Sequence, residues 1–200
     1  MALSIDYYFA PQSPWTYLGH QRLMSIARAA GAQVNPMPID FGKVFPSSGG
    51  LPLAKRAPQR QAYRLVELAR FRDHVGVPLN LQPKFFPVPA DRAAKLLIAV
   101  AMKDGAEAAL ALAGTMLGGV WADQRNIDAD ADLAQMLAEH GLPASRIDDA
   151  LAPGVQQRYD ADTQRAIELG VFGAPTFVID GEMFWGQDRL DFVERRLARG

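Results

Sequence analysis

Segments with the period of a β-strand occur only at the two ends of this chain, and the roughly 120 residues between them are patterned for helix. That distribution restricts the fold more than any single motif does. Leu3 to Phe9 sets apolar side chains at 3, 5, 7 and 9, the alternation of a half-buried strand. Ala10-Pro11-Gln12 ends it, and Ser13-Pro14 follows as an N-cap residue with proline at the first helical position. Leu18, Leu23, Ile26 and Ala30 recur at helical spacing up to Gly31, a natural stop. Gln33 to Ile39 is a second strand, so the first unit is βαβ, its helix starting directly above the first strand. At the other end, Thr176 to Ile179 and Glu182 to Trp185 flank Asp180-Gly181, a two-residue turn with type I′ preference. Asp188 to Ala198 then reads as an amphipathic helix with Leu190, Val193 and Leu197 on one face.

Between these ends, Pro58 to Val75 and Ala90 to Trp121 are rich in helix formers, and further helices are expected near 129–140, 143–151 and 154–169. The pattern is an α/β fold: a discontinuous domain of residues 1–45 and 166–200, interrupted by an all-helical insertion, 46–165. Hydrophobic residues are 49% of the 200 and charged residues 22%, which suits a packed core and argues against disorder. The first residues lack a basic segment and a long apolar run, and no stretch reaches the roughly 20 apolar residues of a membrane helix. A soluble cytoplasmic protein is expected, with no membrane partner.

Lys plus Arg number 21 against 22 for Asp plus Glu, which excludes a broadly basic nucleic-acid binder. The charge is unevenly spread, however. Residues 41–75 carry seven basic side chains against two acidic ones, and Arg56, Arg60 and Arg64 would form one row on a helix. The row reads either as a solvated face or, for whichever members face a pocket, as the mouth of a site for an anionic ligand.

Cysteine is absent, so a disulfide framework, a thiolate metal site and a cysteine nucleophile are all impossible. His20, His74 and His140 show no metal-ligand spacing, and neither a phosphate loop nor a GxSxG elbow is present. The βαβ…ββα order, with Val171-Phe-Gly-Ala-Pro-Thr-Phe177 before the hairpin, is the thioredoxin-like arrangement. There the chemistry sits at the start of the first helix, opposite a cis-proline loop, here Ser13 and Pro175. A dithiol oxidoreductase would carry Cys-x-x-Cys where this chain has Ser13-Pro14-Trp15-Thr16. Any thiol chemistry must borrow its thiol.

Phe9-x-x-x-Ser13-Pro14-Trp15-x-Tyr17-Leu18, Gly170-Val-Phe-Gly-Ala-Pro-Thr-Phe177 and Trp185-Gly186-Gln187-Asp188 together resemble the 2-hydroxychromene-2-carboxylate isomerases, relatives of kappa-class glutathione transferases. The resemblance runs from end to end, helical insertion included. It implies a glutathione-dependent, cytoplasmic homodimer acting on a small aromatic or conjugated carboxylate. Glutathione would add as thiolate to a conjugated bond, allow rotation and be eliminated.

The resemblance also implies roles. Ser13, otherwise a simple N-cap, would donate to glutathione's sulfur at a helix N-terminus whose dipole favours thiolate. Ala174 and a cis Pro175 would pair with the cysteinyl backbone as an added strand. Trp185, Gly186, Gln187 and Asp188 would cradle the γ-glutamyl end, Asp188 serving also as a cap. Lys43 fits a substrate-binding lysine, Arg56 a second cation, and Phe85 or Phe86 an apolar wall. Ser47 to Leu53 lacks the asparagine that the isomerases carry near a glycine there, which leaves open whether the substrate is the same bicyclic aromatic acid. A transferase that releases the conjugate, and a non-enzymatic binding module of thioredoxin-like fold, remain the alternatives.

Overall fold

The computed structural model of the chain describes residues 3–199. Strand β1 (Ser4–Phe9) runs parallel to β2 (Gln33–Pro38) and antiparallel to β3 (Thr176–Ile179), and β3 is followed by antiparallel β4 (Glu182–Trp185). The sheet order is β2-β1-β3-β4, which makes β1 and β3 central. The hairpin turn is built as its residues dictate: Asp180 and Gly181 both have positive φ, 49° and 83°.

Helix α1 (Pro14–Ala30) begins and ends at its sequence signals. The Ser13 side chain caps it, and Gly31 closes it in the left-handed conformation. The helix is held on the sheet by a buried relay. His20 Nε2 lies 3.1 Å from the Leu110 carbonyl, which can only accept, so Nε2 carries the hydrogen and Nδ1 receives the Tyr7 hydroxyl at 3.3 Å. Burial pushes the His20 imidazole down to about 4.

Both faces of the sheet are covered. Ile5, Tyr7 and Phe9 of β1 pack with Phe177 and Ile179 against α1 and the helical segment. Tyr8, Met37 and Val178 face the other way and pack on α2 (Phe41–Ser48) and on Ala166 of α8 (Pro153–Glu168). Tyr8 is thus buried on the face opposite Ile5, Tyr7 and Phe9, as in a central strand of a covered sheet. Helix α3 is Pro58–Val75, and Gly105 divides the long apolar stretch into α4 (Asp91–Asp104) and α5 (Ala106–Trp121). Then come α6 (Asp130–Glu139), the short α7 (Arg146–Asp149) and α8 (Pro153–Glu168). No strand occurs between 58 and 165 among the described residues. One hydrophobic core joins Leu23 and Ile26 of α1 to Leu96, Leu112, Met116 and Trp121.

Three local expectations need correction. Helix α2 was not signalled, because Pro46 and the Ser-Ser-Gly-Gly run read as loop; its sign was Asp40, which caps it by accepting from the Gly42 N–H at 2.7 Å. The helix expected over 143–151 shrinks to four residues. The last helix begins as a 3-10 turn, Gln187–Arg189, before α9 (Leu190–Leu197). No described helix is long and apolar enough to cross a membrane.

Candidate active site

Two chain segments meet where β1 ends. Tyr8 is paired with Thr176, so extending that antiparallel register sets Pro175 beside Phe9 and Ala174 beside Ala10. The Ser13 N–H in turn donates to the Ala10 carbonyl at 3.0 Å. The start of α1 and the Ala174-Pro175 loop therefore share one end of the sheet, and the bond between Ala174 and Pro175 is cis. The Ala174 N–H and C=O take no backbone partner among the described residues.

Ser13 is half-buried, and its Oγ accepts from the Thr16 N–H at 3.2 Å. A hydroxyl has one proton to give, and this one is engaged in no hydrogen bond among the described residues, so it remains available to an acceptor in the cleft. Around it, Gln12 Oε1 and Thr16 Oγ1 are buried without a hydrogen-bond partner. Native interiors rarely leave such atoms unmet.

The third sequence motif reaches the same place. The Gly186 N–H donates to the Pro175 carbonyl at 2.9 Å, tying the end of β4 to the proline loop. Gln187 is buried against α1, where a Cβ on Gly19 would come within 2.7 Å of the Gln187 Cβ; glycine is required for that approach. The Trp185 indole lies over Gly173 and packs on Phe172 with ring centroids 4.8 Å apart. Asp188 is exposed and accepts from Arg189 Nη1 at 2.6 Å. It makes no helix cap, contrary to that part of the expectation.

The cations sort differently from their row in the sequence. Arg56 precedes α3, so the helical row contains only Arg60 and Arg64. Arg56 donates from Nε to the Leu51 carbonyl at 2.8 Å and has no acidic partner among the described residues. Lys43 is exposed on α2 and pairs with Asp160 at 2.7 Å, which holds its ammonium above the usual range. Arg64 is the residue the sequence left undistinguished within its row. It is 9% exposed, and its guanidinium lies 5.2 Å from the Phe86 ring centroid and 5.6 Å from that of Trp121. Phe86, the expected wall, lies under Arg64, and Phe85 stands under Lys84. Trp121, buried in the core, also donates from Nε1 to the Gln12 carbonyl at 3.1 Å. A hollow of about 1120 Å³, lined by His20, Met24, Leu110, Thr115 and His140, holds none of these groups.

The DsbA-like thioredoxin domain family matches this chain over residues 4–198. Curated 2-hydroxychromene-2-carboxylate isomerases from Pseudomonas putida and Sphingobium xenophagum are each 30% identical to it, covering 98% of this chain and 94% and 99% of theirs. The solved structure of a 2-hydroxychromene-2-carboxylate isomerase is similar at 28% identity and TM-score 0.83, over 98% of this chain and 95% of that one. The cytosolic disulfide reductase DsbM from Pseudomonas aeruginosa shares the fold at 18% identity and TM-score 0.72, over 99% of this chain and 100% of its own.

Proposed function

The chain belongs to the DsbA-like thioredoxin family and to the family of 2-hydroxychromene-2-carboxylate isomerases, and from that premise we propose that it isomerises a conjugated aromatic carboxylate with glutathione as its cofactor. One observation carries the reading: a thioredoxin-type helix start, opposite a cis-proline loop, holds Ser13 in a chain without any cysteine. The thiol has to arrive with a bound molecule.

When bound, glutathione supplies a thiolate that adds to a conjugated double bond, permits rotation about it and leaves unchanged. The chain's own residues do the rest. Ser13 donates a hydrogen bond from its free hydroxyl to the sulfur, while the dipole at the start of α1 lowers the thiol pKa from its ordinary 8.5 or so. Ala174 offers an open N–H and C=O to an extended peptide, as an edge strand does. Asp188 is exposed for an ammonium group, with Gly186, Gln187 and Trp185 shaping the turn that presents it. Arg56, free of acidic partners, and Lys43, free once its exposed pairing with Asp160 is exchanged, offer charge to the substrate carboxylate.

The test is to incubate the protein with a conjugated aromatic carboxylate and substoichiometric glutathione, following both the substrate spectrum and the free-thiol titre. An isomerase converts the substrate with the thiol titre unchanged and does nothing without glutathione. Stoichiometric thiol loss would instead mean a transferase that releases its conjugate. Absence of glutathione binding at millimolar concentration in calorimetry would mean a binding module. The same reading makes the protein a cytoplasmic two-fold homodimer. A strictly monomeric species in light scattering at tens of micromolar overturns that part.

A further inference from the structure

Three side chains that can carry charge are buried among the described residues: His20, Arg64 and Asp162. His20 is bonded on both nitrogens, and Asp162 accepts from Arg158. Arg64 alone has neither a hydrogen-bond nor an ion-pair partner among the described residues. A guanidinium has five N–H donors, and with no protein acceptor on them they stand open to a ligand that reaches this largely buried side chain. The flanking Phe86 and Trp121 rings meet the charge through their π-faces but accept no in-plane hydrogen bond.

The position of Arg64 is as informative as its isolation. On α3, Arg64, Leu68 and Phe71 share a face, and the Phe71 ring meets Trp15 of α1 edge-on at 5.8 Å. The Trp121 ring beneath the guanidinium donates to the carbonyl of Gln12, the residue before Ser13. One ring therefore separates Arg64 from the cleft at the start of α1. Arg56 is close enough to depress Arg64 further, and the two effects together bring the guanidinium to about 10, still fully charged at neutral pH. Two cations held together with no acid between them suit a site that an anion completes.

We propose that Arg64 is the receptor for a ligand carboxylate in the cleft beside Gln12 and Ser13, with Arg56 as the outer cation of the same site. This rests on reading the Ser13 cleft as a ligand site. It adds that specificity for an anionic ligand lies in a buried arginine of α3, with the exposed Lys43 contributing only outer charge. The carboxylate could belong to the aromatic substrate or to glutathione.

Calorimetry on the full chain with three probes (trans-cinnamate, its neutral amide, and glutathione) distinguishes these sources. Arg64→Met keeps the length and apolar stem while removing the charge and its donors. Cinnamate affinity is expected to fall about tenfold or more, the scale of a charged hydrogen bond, with cinnamamide unchanged. A loss confined to cinnamate assigns the carboxylate to the substrate; a loss confined to glutathione assigns it to the tripeptide. Unchanged affinity for both overturns the proposal, and wild type binding the amide as tightly as the acid overturns the substrate as the source of the carboxylate. Thermal melting separates ligand binding from mere packing. Removing an unpaired buried charge should leave the melting temperature level or higher, whereas a structural cation over two rings would lower it. Should Arg64→Met fail to fold, Arg64→Lys is read alone. A several-fold loss of affinity for cinnamate or for glutathione supports the forked receptor, and full retention of both overturns it. None of these measurements needs turnover, so a failed isomerisation assay leaves the cinnamate result standing.

Discussion

Replacing Ser13 with alanine removes two interactions of different kinds, and their magnitudes predict separate effects. The first is the helix cap. Its bond to the Thr16 N–H is 3.2 Å, at the long end for such contacts, so the loss of stability should lie low in the usual range, at roughly 0.5–1 kcal/mol. The second is the hydroxyl proton offered to a bound thiolate, worth roughly 1.5–3 kcal/mol for a hydrogen bond to a charged group. At 1.36 kcal/mol per pKa unit, the bound thiol should rise by about one to two units. The rate at neutral pH should fall by about one to two orders of magnitude. Glutathione affinity should fall less, because Ala174 and the Gly186–Asp188 turn are untouched. The assay is the thiolate absorbance of bound glutathione against pH, in wild type and Ser13→Ala. Sign matters here: the thiolate is the charged form, so losing its donor must move the titration to higher pH. Identical titrations in the two proteins would reduce Ser13 to a helix cap and refute the mechanism.

Three further outcomes follow from the geometry. His20 titrates at about 4 when folded against an ordinary 6.5, so the unfolded chain binds its proton first as pH falls. Stability should be full above pH 6.5 and decline by on the order of 3 kcal/mol towards pH 4, and His20→Gln should flatten that slope in urea titrations; an equal slope would locate the acid sensitivity elsewhere. Gly19→Ala drives a Cβ to 2.7 Å from the Gln187 Cβ and 3.3 Å from its Cα, so it should cost about 1–3 kcal/mol and weaken glutathione binding, checked by denaturation and calorimetry. Gly173→Ala would drive a Cβ into the Trp185 indole nitrogen, but that ring is half-exposed and can swing away. The fold should survive with shifted tryptophan emission and weaker glutathione binding, and an unchanged emission would show that Trp185 does not rest on this loop.

The amino-acid sequence by itself determined what nearest neighbours along the chain decide. The periods of β1 and of the β3–β4 pair, the Ser13-Pro14 start and Gly31 stop of α1, and the Asp180-Gly181 turn are local preferences of φ, ψ and side-chain spacing, and they survive in the fold. The absence of cysteine is likewise complete in the sequence, and it alone rules out a protein-borne thiol. Where two local signals conflicted, as over Asp40 and Pro46 in α2, the sequence was ambiguous and packing on Tyr8, Met37 and Val178 decided. The roles of the cations were settled only in three dimensions. Arg56, Arg60 and Arg64 look equivalent as a run, and Lys43 looks free. Yet Asp160, far along the chain on α8, claims Lys43, while Phe86 and Trp121 close over Arg64 and leave it without a counter-charge. Burial and ion pairing depend on groups brought together from distant positions, and no pattern of adjacent residues encodes that distance.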